Sequence, residues 1–150
     1  MKLLPIEVDE KQNYRFGHNP ECREILQVYP GFYKRVGFHK PWIGYFATND
    51  ENSLVGCGGY KGKPSNGKVE ISYGTFKNFR GRGLGTEICR QLVELSLKTD
   101  SSVKITARTL PDNLGSIGIL KKNHFECNGL LYDEEDGDVL EWELRVPSIK

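Results

Sequence analysis

The chain has 150 residues, a length that suits one domain over residues 1–150 with a real core and leaves no room for two. Lys plus Arg number 21 against 20 Asp plus Glu, and this net charge of +1 argues against a dedicated nucleic-acid or membrane-surface protein. The opening MKLLPIEVDEKQ turns charged before any apolar run of signal length, and no stretch is apolar for long enough to span a membrane, so a cytoplasmic protein is expected.

In chain order, residues 2–8 read as an edge strand, because Pro5 removes one ladder donor. Asn19-Pro20-Glu21 offers a cap, a proline at the first helical position and an early acid, and predicts a short helix over 22–28 that Pro30-Gly31 stops. Tyr14, Phe16, Tyr29, Phe32, Tyr33, Phe38 and Trp42 are too irregularly spaced for one helix and read mostly as core. An antiparallel meander follows. Residues 42–48 form its first strand, Asn49 to Asn52 turn the chain, 53–61 return, and Pro64-Ser65-Asn66-Gly67 signals a hairpin before a strand carrying Glu70. Gly56, Gly58 and Gly59 inside the returning strand mark a bulge, a close approach of backbone or a flexible edge.

The stretch 68–98 organises the rest. Val69, Ile71, Tyr73 and Thr75 alternate with Glu70, Ser72 and Gly74, the period of a strand whose faces meet different neighbours. Arg80-Gly81-Arg82-Gly83-Leu84-Gly85-Thr86 then places glycine at every second position, which lets several backbone N–H groups turn toward one ligand. Leu84, Ile88, Leu92 and Leu95 make the apolar stripe of a helix that starts directly behind the glycines, with Glu87, Arg90, Glu94 and Lys98 left to solvent. Free N–H groups, the positive end of the helix dipole and two arginines make an anion site, so the ligand should carry phosphate. Two common phosphate loops are excluded. The Gly-Lys-Ser/Thr of a Walker loop is absent, and a dinucleotide fingerprint would find Thr86 in place of its third glycine and Arg108 where an acidic ribose ligand belongs.

Arg80, Gly83 and Gly85 fit [Arg/Gln]-x-x-Gly-x-[Gly/Ala], which resembles the acyl-coenzyme A loop of the GNAT superfamily of N-acetyltransferases. A second match lies downstream. The run from Asn113 to Phe125 looks like the family's N-x-x-S-x-x-(aliphatic)-x-x-K-x-G-F helix, with His124 where glycine usually stands. A residue there must enter the left-handed region with a less permissive backbone. The resemblance covers roughly residues 40 to 145, including a strand at 103–108 and a final hairpin turning at Asp136-Gly137. Glu70-Ile71-Ser72-Tyr73 and Ser116 look most like the branch containing ribosomal-protein N-terminal acetyltransferases.

The resemblance implies a mixed α/β fold, a mostly antiparallel sheet flanked by helices, that takes acetyl-CoA as cosubstrate and acetylates a primary amine by direct transfer in a ternary complex. The acceptor is a small molecule or a protein N-terminus, and a homodimer is left open. Glu70 is the candidate base that takes the acceptor's proton. Ser116 is the hydroxyl left near the departing thiolate, because Leu120 stands where many members carry a tyrosine acid. Tyr73, Gly74 and Thr75 are expected to meet the thioester and pantetheine arm through main-chain groups, with Gly74 freeing an N–H at a bulge to stabilise the carbonyl oxygen. Arg80, Gly81, Arg82, Gly83, Leu84, Gly85 and Thr86 hold the phosphates, and Asn113 and Ser116 contact the cofactor. Tyr73, His124, Glu141 and Glu143 are reserves for acid-base work. Lys121-Lys122 either meets phosphates or ends a helix favourably, and the acidic run 133–136 reads as a solvated hairpin tip. The competing class is a non-catalytic acyl-CoA sensor in which Glu70 and Ser116 are structural. His18, His39 and His124 lack metal-ligand spacing, Cys22, Cys57, Cys89 and Cys127 lack close pairing, and neither a metal nor a disulfide framework is expected.

Overall fold

A seven-stranded sheet in the order β1-β2-β3-β4-β5-β7-β6 forms the middle layer, seen in a computed structural model that describes residues 1–145. The strands are β1 (Lys2–Pro5), β2 (Gly44–Thr48), β3 (Leu54–Tyr60), β4 (Lys68–Thr75), β5 (Lys104–Thr109), β6 (Phe125–Asp133) and β7 (Gly137–Leu144). Every neighbouring pair is antiparallel except β4–β5. A crossover is therefore needed between those two, and the helix α2 (Leu84–Thr99) supplies it. α2 and α3 (Leu114–Lys122) cover one face, while α1 (Pro20–Val36) and a 3-10 helix, Glu10–Phe16, cover the other. Ile88, Leu92, Ile71, Ile105, Leu120 and Trp142 fill the first layer of core, and Ile6, Phe16, Cys22, Tyr33 and Phe46 the second.

The meander follows the sequence pattern closely. Asn66 and Gly67 take φ of 53° and 75°, the left-handed pair that a tight hairpin with right-handed strand twist requires. β1 is an edge strand as its proline predicts, though it ends at Pro5 rather than residue 8. The terminal hairpin turns at Gly137, whose φ is 74°.

Helix α1 departs from expectation. Asn19 caps it, accepting from Cys22 N at 3.1 Å, but the helix runs through Pro30 and stops only at Gly37, where φ is 89°. Pro30 costs about 3 kcal/mol in a helix interior, since Leu26 O loses its donor. Burial outweighs that cost. Tyr29, Phe32, Tyr33 and Val36 fall on one helical face at spacings of three and four, and the Tyr29 and Tyr33 ring centroids lie 5.1 Å apart. The Tyr33 hydroxyl, buried, donates to Ile6 O at 2.7 Å and accepts from Gly44 N at 3.0 Å, tying α1 to the ends of β1 and β2. Tyr14, by contrast, is 88% exposed and not core.

The glycines of β3 mark close approach, and the flexible-edge reading falls because β3 lies inside the sheet between β2 and β4. A methyl on Gly56 would sit 2.4 Å from Gly74 O, and one on Gly58 2.9 Å from Ile88 Cγ2. On Gly59 it would sit 2.7 Å from both Gly44 Cα and Ile43 O, which are backbone and cannot rotate away. Gly59→Ala is expected to cost about 2 kcal/mol, and so to lower Tm by about 5 °C in thermal melts followed by circular dichroism. An unchanged Tm would mean that the β2–β3 contact is looser than described.

Candidate active site

The parallel pairing of β4 with β5 stops at Glu70↔Thr106, and from there β4 continues to Thr75 beside β3 alone. The sheet splits at that point. The β3–β4 register is unbroken from Tyr60↔Ile71 to Gly56↔Thr75, and bonds from Lys61 N to Glu70 O (2.9 Å) and from Phe76 N to Val55 O (2.8 Å) bracket it. Hydrogen-bonded residues alternate in an antiparallel ladder, so Glu70, Ser72, Gly74 and Phe76 direct their backbone groups at β3. Tyr73 and Thr75 therefore direct theirs into the split. The expected free donor at Gly74 is corrected accordingly: no bulge occurs there, and Tyr73 and Thr75 own the main-chain groups facing the gap.

Behind the split lies the glycine loop. Gly81 and Gly83 take φ of 78° and 77°, and Gly83 caps α2 in the left-handed region with no side chain bonded to the first turn. Neither glycine has an atom within 4 Å of where a Cβ would stand, so the loop's outer side is open to a ligand. Gly85 serves packing instead. A methyl there would meet Ile119 Cδ1 at 2.7 Å, and its absence lets α3 close on α2.

These elements enclose a cleft of about 730 Å3 lined by Tyr73, Gly74, Thr75, Arg80, Gly81, Gly83, Leu84, Gly85, Thr86, Asn113 and Ser116. Of the expected cofactor residues, only Arg82 is outside the lining; its guanidinium sits 5.7 Å from the Phe79 ring centroid. Phe79, Gly115, Ile119 and Lys122 complete the wall. Both lysines lie in the last turn of α3, and the two differ in surroundings: Lys122 lines this cleft, whereas Lys121 lines a different groove beside Phe125 and Trp142. Helical phase was the available signal: Lys122 lies three residues after Ile119, on the face of α3 that Ser116 also occupies. Arg80 Nε donates to Thr75 O at 3.3 Å, which fixes the loop to the end of β4.

Across the cleft, Tyr73 OH lies 3.1 Å from Ser116 Oγ and donates to Ser116 O at 3.3 Å. Burial pushes the phenol well above its usual range, against the smaller opposing effect of the Ser116 hydrogen bond. A phenol so reluctant to ionise is a weak proton source for a thiolate whose own pKa is about 8.5, so Tyr73 suits orienting Ser116. Asn113 Oδ1 caps α3 by accepting from Ser116 N at 3.1 Å. His124 takes the left-handed conformation, φ 68°, that its place in the motif requires, and Leu120 is fully buried.

Glu70 is not part of the cleft wall. With Ser72 and Gly74 it faces the α1 side of the sheet, whereas Tyr73 and Thr75 face α2 and α3. Its carboxylate is partly buried, 21% exposed, with Lys61 Nζ 2.6 Å from Oε2 and Arg108 Nε 3.8 Å from Oε1. Arg108 also pairs with Asp133 at 3.0 Å, so the network runs from β3 to the terminal hairpin. Among the reserves, Glu141 lies opposite Arg108 in the β5–β7 register and Glu143 pairs with Arg145 at 3.1 Å. No group of His, Cys, Asp and Glu able to hold a metal ion occurs among the described residues, and none of their helices is long and apolar enough to cross a membrane.

A solved structure of a chimeric spermidine N-acetyltransferase SpeG from Vibrio cholerae superposes with a TM-score of 0.70 over 96% of this chain and 95% of that one, at 15% identity. The aminoglycoside acetyltransferase AAC(6')-Ib in complex with coenzyme A gives 0.59 at 26% identity over 67% of this chain and 64% of that one. In sequence, the chain is 36% identical over 110 residues to the uncharacterised N-acetyltransferase YjdG of Bacillus subtilis (strain 168), covering 73% of this chain, and 32% identical over 89 residues to p20 of Bacillus licheniformis, covering 59%. The matches span only 62% and 50% of those relatives' own lengths. With a sheet split beside a glycine-capped helix, and with residues 7–126 matching the family described as acetyltransferase (GNAT) domain, the chain belongs to the GNAT family.

Proposed function

We propose that this domain moves an acetyl group from acetyl-CoA to a primary amine by direct attack in a ternary complex. The observation that carries this reading is the split after Glu70↔Thr106, which opens the sheet between two differently equipped faces. On the α2–α3 side, the open glycine loop, Arg80 and Lys122 fit the phosphates of a CoA, and the cleft has the size of a cofactor site. Tyr73 and Thr75 supply backbone groups where the carbonyl oxygen gains negative charge, and one such donor is worth about 3 kcal/mol of barrier. On the α1 side, a methyl at Gly74 would find nothing within 4 Å, so an amine has room to approach, and Glu70 stands on the same face to take its proton. Ser116, held by Tyr73, offers a hydrogen bond to the departing thiolate. The acceptor is a small molecule or a protein N-terminus. Four free cysteines fit a reducing, cytoplasmic setting, and the exposed β6 edge, which pairs with no further strand among the described residues, supports the homodimer expectation.

Two observations favour a second reading, a non-catalytic acyl-CoA sensor: Glu70 is engaged by two cations, and Leu120 replaces the tyrosine acid. Thiol release from acetyl-CoA, measured against peptides, amino acids, polyamines and aminoglycosides with CoA binding followed by calorimetry, separates the two. Amine-dependent release is the expected result. Tight binding with no release from any amine supports the sensor, and no binding overturns both.

A further inference from the structure

Two walls of the cleft are the first turn of α2 and the length of α3, and one buried side chain joins them. Asn123 follows the last residue of α3 and is 8% exposed. Its Nδ2 donates to Thr86 O at 3.1 Å and to Ile119 O at 3.0 Å, while its backbone N–H bonds Ile119 O and Leu120 O. Thr86 belongs to the anion-binding turn of α2, and Ile119 lines the cleft from α3. The same seam contains Gly85, which admits the Ile119 side chain to within van der Waals contact of the α2 backbone.

We infer that Asn123 is a positioning residue for CoA, resting on the proposed acetyl-CoA reading: it sets the gap between the glycine loop and α3. The amide is suited to this because it offers two donors at once, and here both meet main-chain carbonyls on different helices. Fixing Thr86 O fixes the turn whose free N–H groups face the phosphates. Fixing Ile119 O holds the last turn of α3, and with it Lys122, across the cleft from Arg80. Asn123 touches no ligand itself; it acts by keeping both phosphate-binding walls at one separation. Tyr73 ties the start of α3 to β4 at Ser116, but at its other end α3 meets α2 otherwise through apolar contacts, which lack direction, so Asn123 is what fixes that end.

The test is CoA affinity by calorimetry, with steady-state kinetics on whichever amine the wild type acetylates, using the full chain. Asn123→Asp keeps the shape but replaces the amide nitrogen, and with it both N–H donors, by one oxygen facing two carbonyls. It should raise the Kd for CoA about tenfold while kcat at saturating acetyl-CoA stays within about twofold of wild type. Val103→Ala, buried but remote from the seam, is the control for a general loss of stability and should leave the Kd unchanged. Asn123→Ser, which retains one donor, should fall between wild type and Asn123→Asp and stands in for it where that variant does not fold. A Kd that follows Tm equally in the Val103 and Asn123 variants would make Asn123 structural only and overturn the inference. Wild-type protein that binds no CoA would instead overturn the reading on which the inference rests.

Discussion

Gly83→Glu is expected to abolish CoA binding, raising the Kd at least about a hundredfold, while leaving the protein folded. Gly83 takes φ 77° and ψ 7° at the start of α2, and a side chain in that left-handed conformation costs about 1–2 kcal/mol. No atom lies within 4 Å of the position its Cβ would occupy, so the new side chain extends into the cleft without striking protein. Its carboxylate then reaches the free N–H groups of the first turn, an interaction worth about 0.3–1 kcal/mol that offsets part of the backbone cost. The mutant therefore carries its own anion in the anion site. It competes with phosphate for the same donors and repels it at close range. Calorimetry with CoA and a parallel thermal melt check both halves of the prediction: binding lost, Tm lowered by only a few degrees. Retained affinity in a folded Gly83→Glu protein would place the phosphates elsewhere and remove the assignment of the loop from Arg80 to Thr86.

That loop was legible in the sequence because backbone requirements leave marks on residue choice. Alternate glycines, an apolar stripe of period 3.6 and a strand of period two placed β4, the loop and α2 within a residue or two, and Asn113 was identifiable as the start of α3. What stayed hidden follows from what each signal measures. Pro30 argued for a helix end on local grounds, and only the packing of Tyr29 and Tyr33 against the sheet, a non-local energy, reverses that. Gly74 stood out as the flexible position, yet ladder parity assigns the split's free groups to Tyr73 and Thr75, and parity depends on the partner strand. Lys61 escaped notice as the partner of Glu70 for the same reason. They meet across a hairpin whose register fixes them, and no spacing within either strand records it. Asn123 lay inside a matched motif at a variable position, and its role is set by a contact to a helix 37 residues away in sequence.

Glu70→Gln decides between the catalytic and the structural account of the carboxylate at the split, and it is expected to lower kcat at least about a hundredfold, with the Kd for CoA unchanged. Geometry gives both accounts a basis. The side chain faces the side from which an amine can approach over Gly74, and it stands at the last paired residue before the strands part. It also holds Lys61 at 2.6 Å and Arg108 at 3.8 Å, which ties β3 and β5 to β4. The structural share is small in energy. Lys61 is 48% exposed and Arg108 35%, and pairs open to solvent are worth only about 0–1 kcal/mol. Glutamine keeps the shape and an oxygen for Lys61, so Tm should barely move, and any large loss of turnover must come from the missing proton acceptor. Lys61→Met provides the counterpart, since it breaks the same ion pair and leaves the carboxylate. A base predicts that the two variants differ, turnover collapsing only with Glu70→Gln. An anchor predicts that they match, each losing a little stability and no turnover, and the acceptor's proton would then leave directly to solvent.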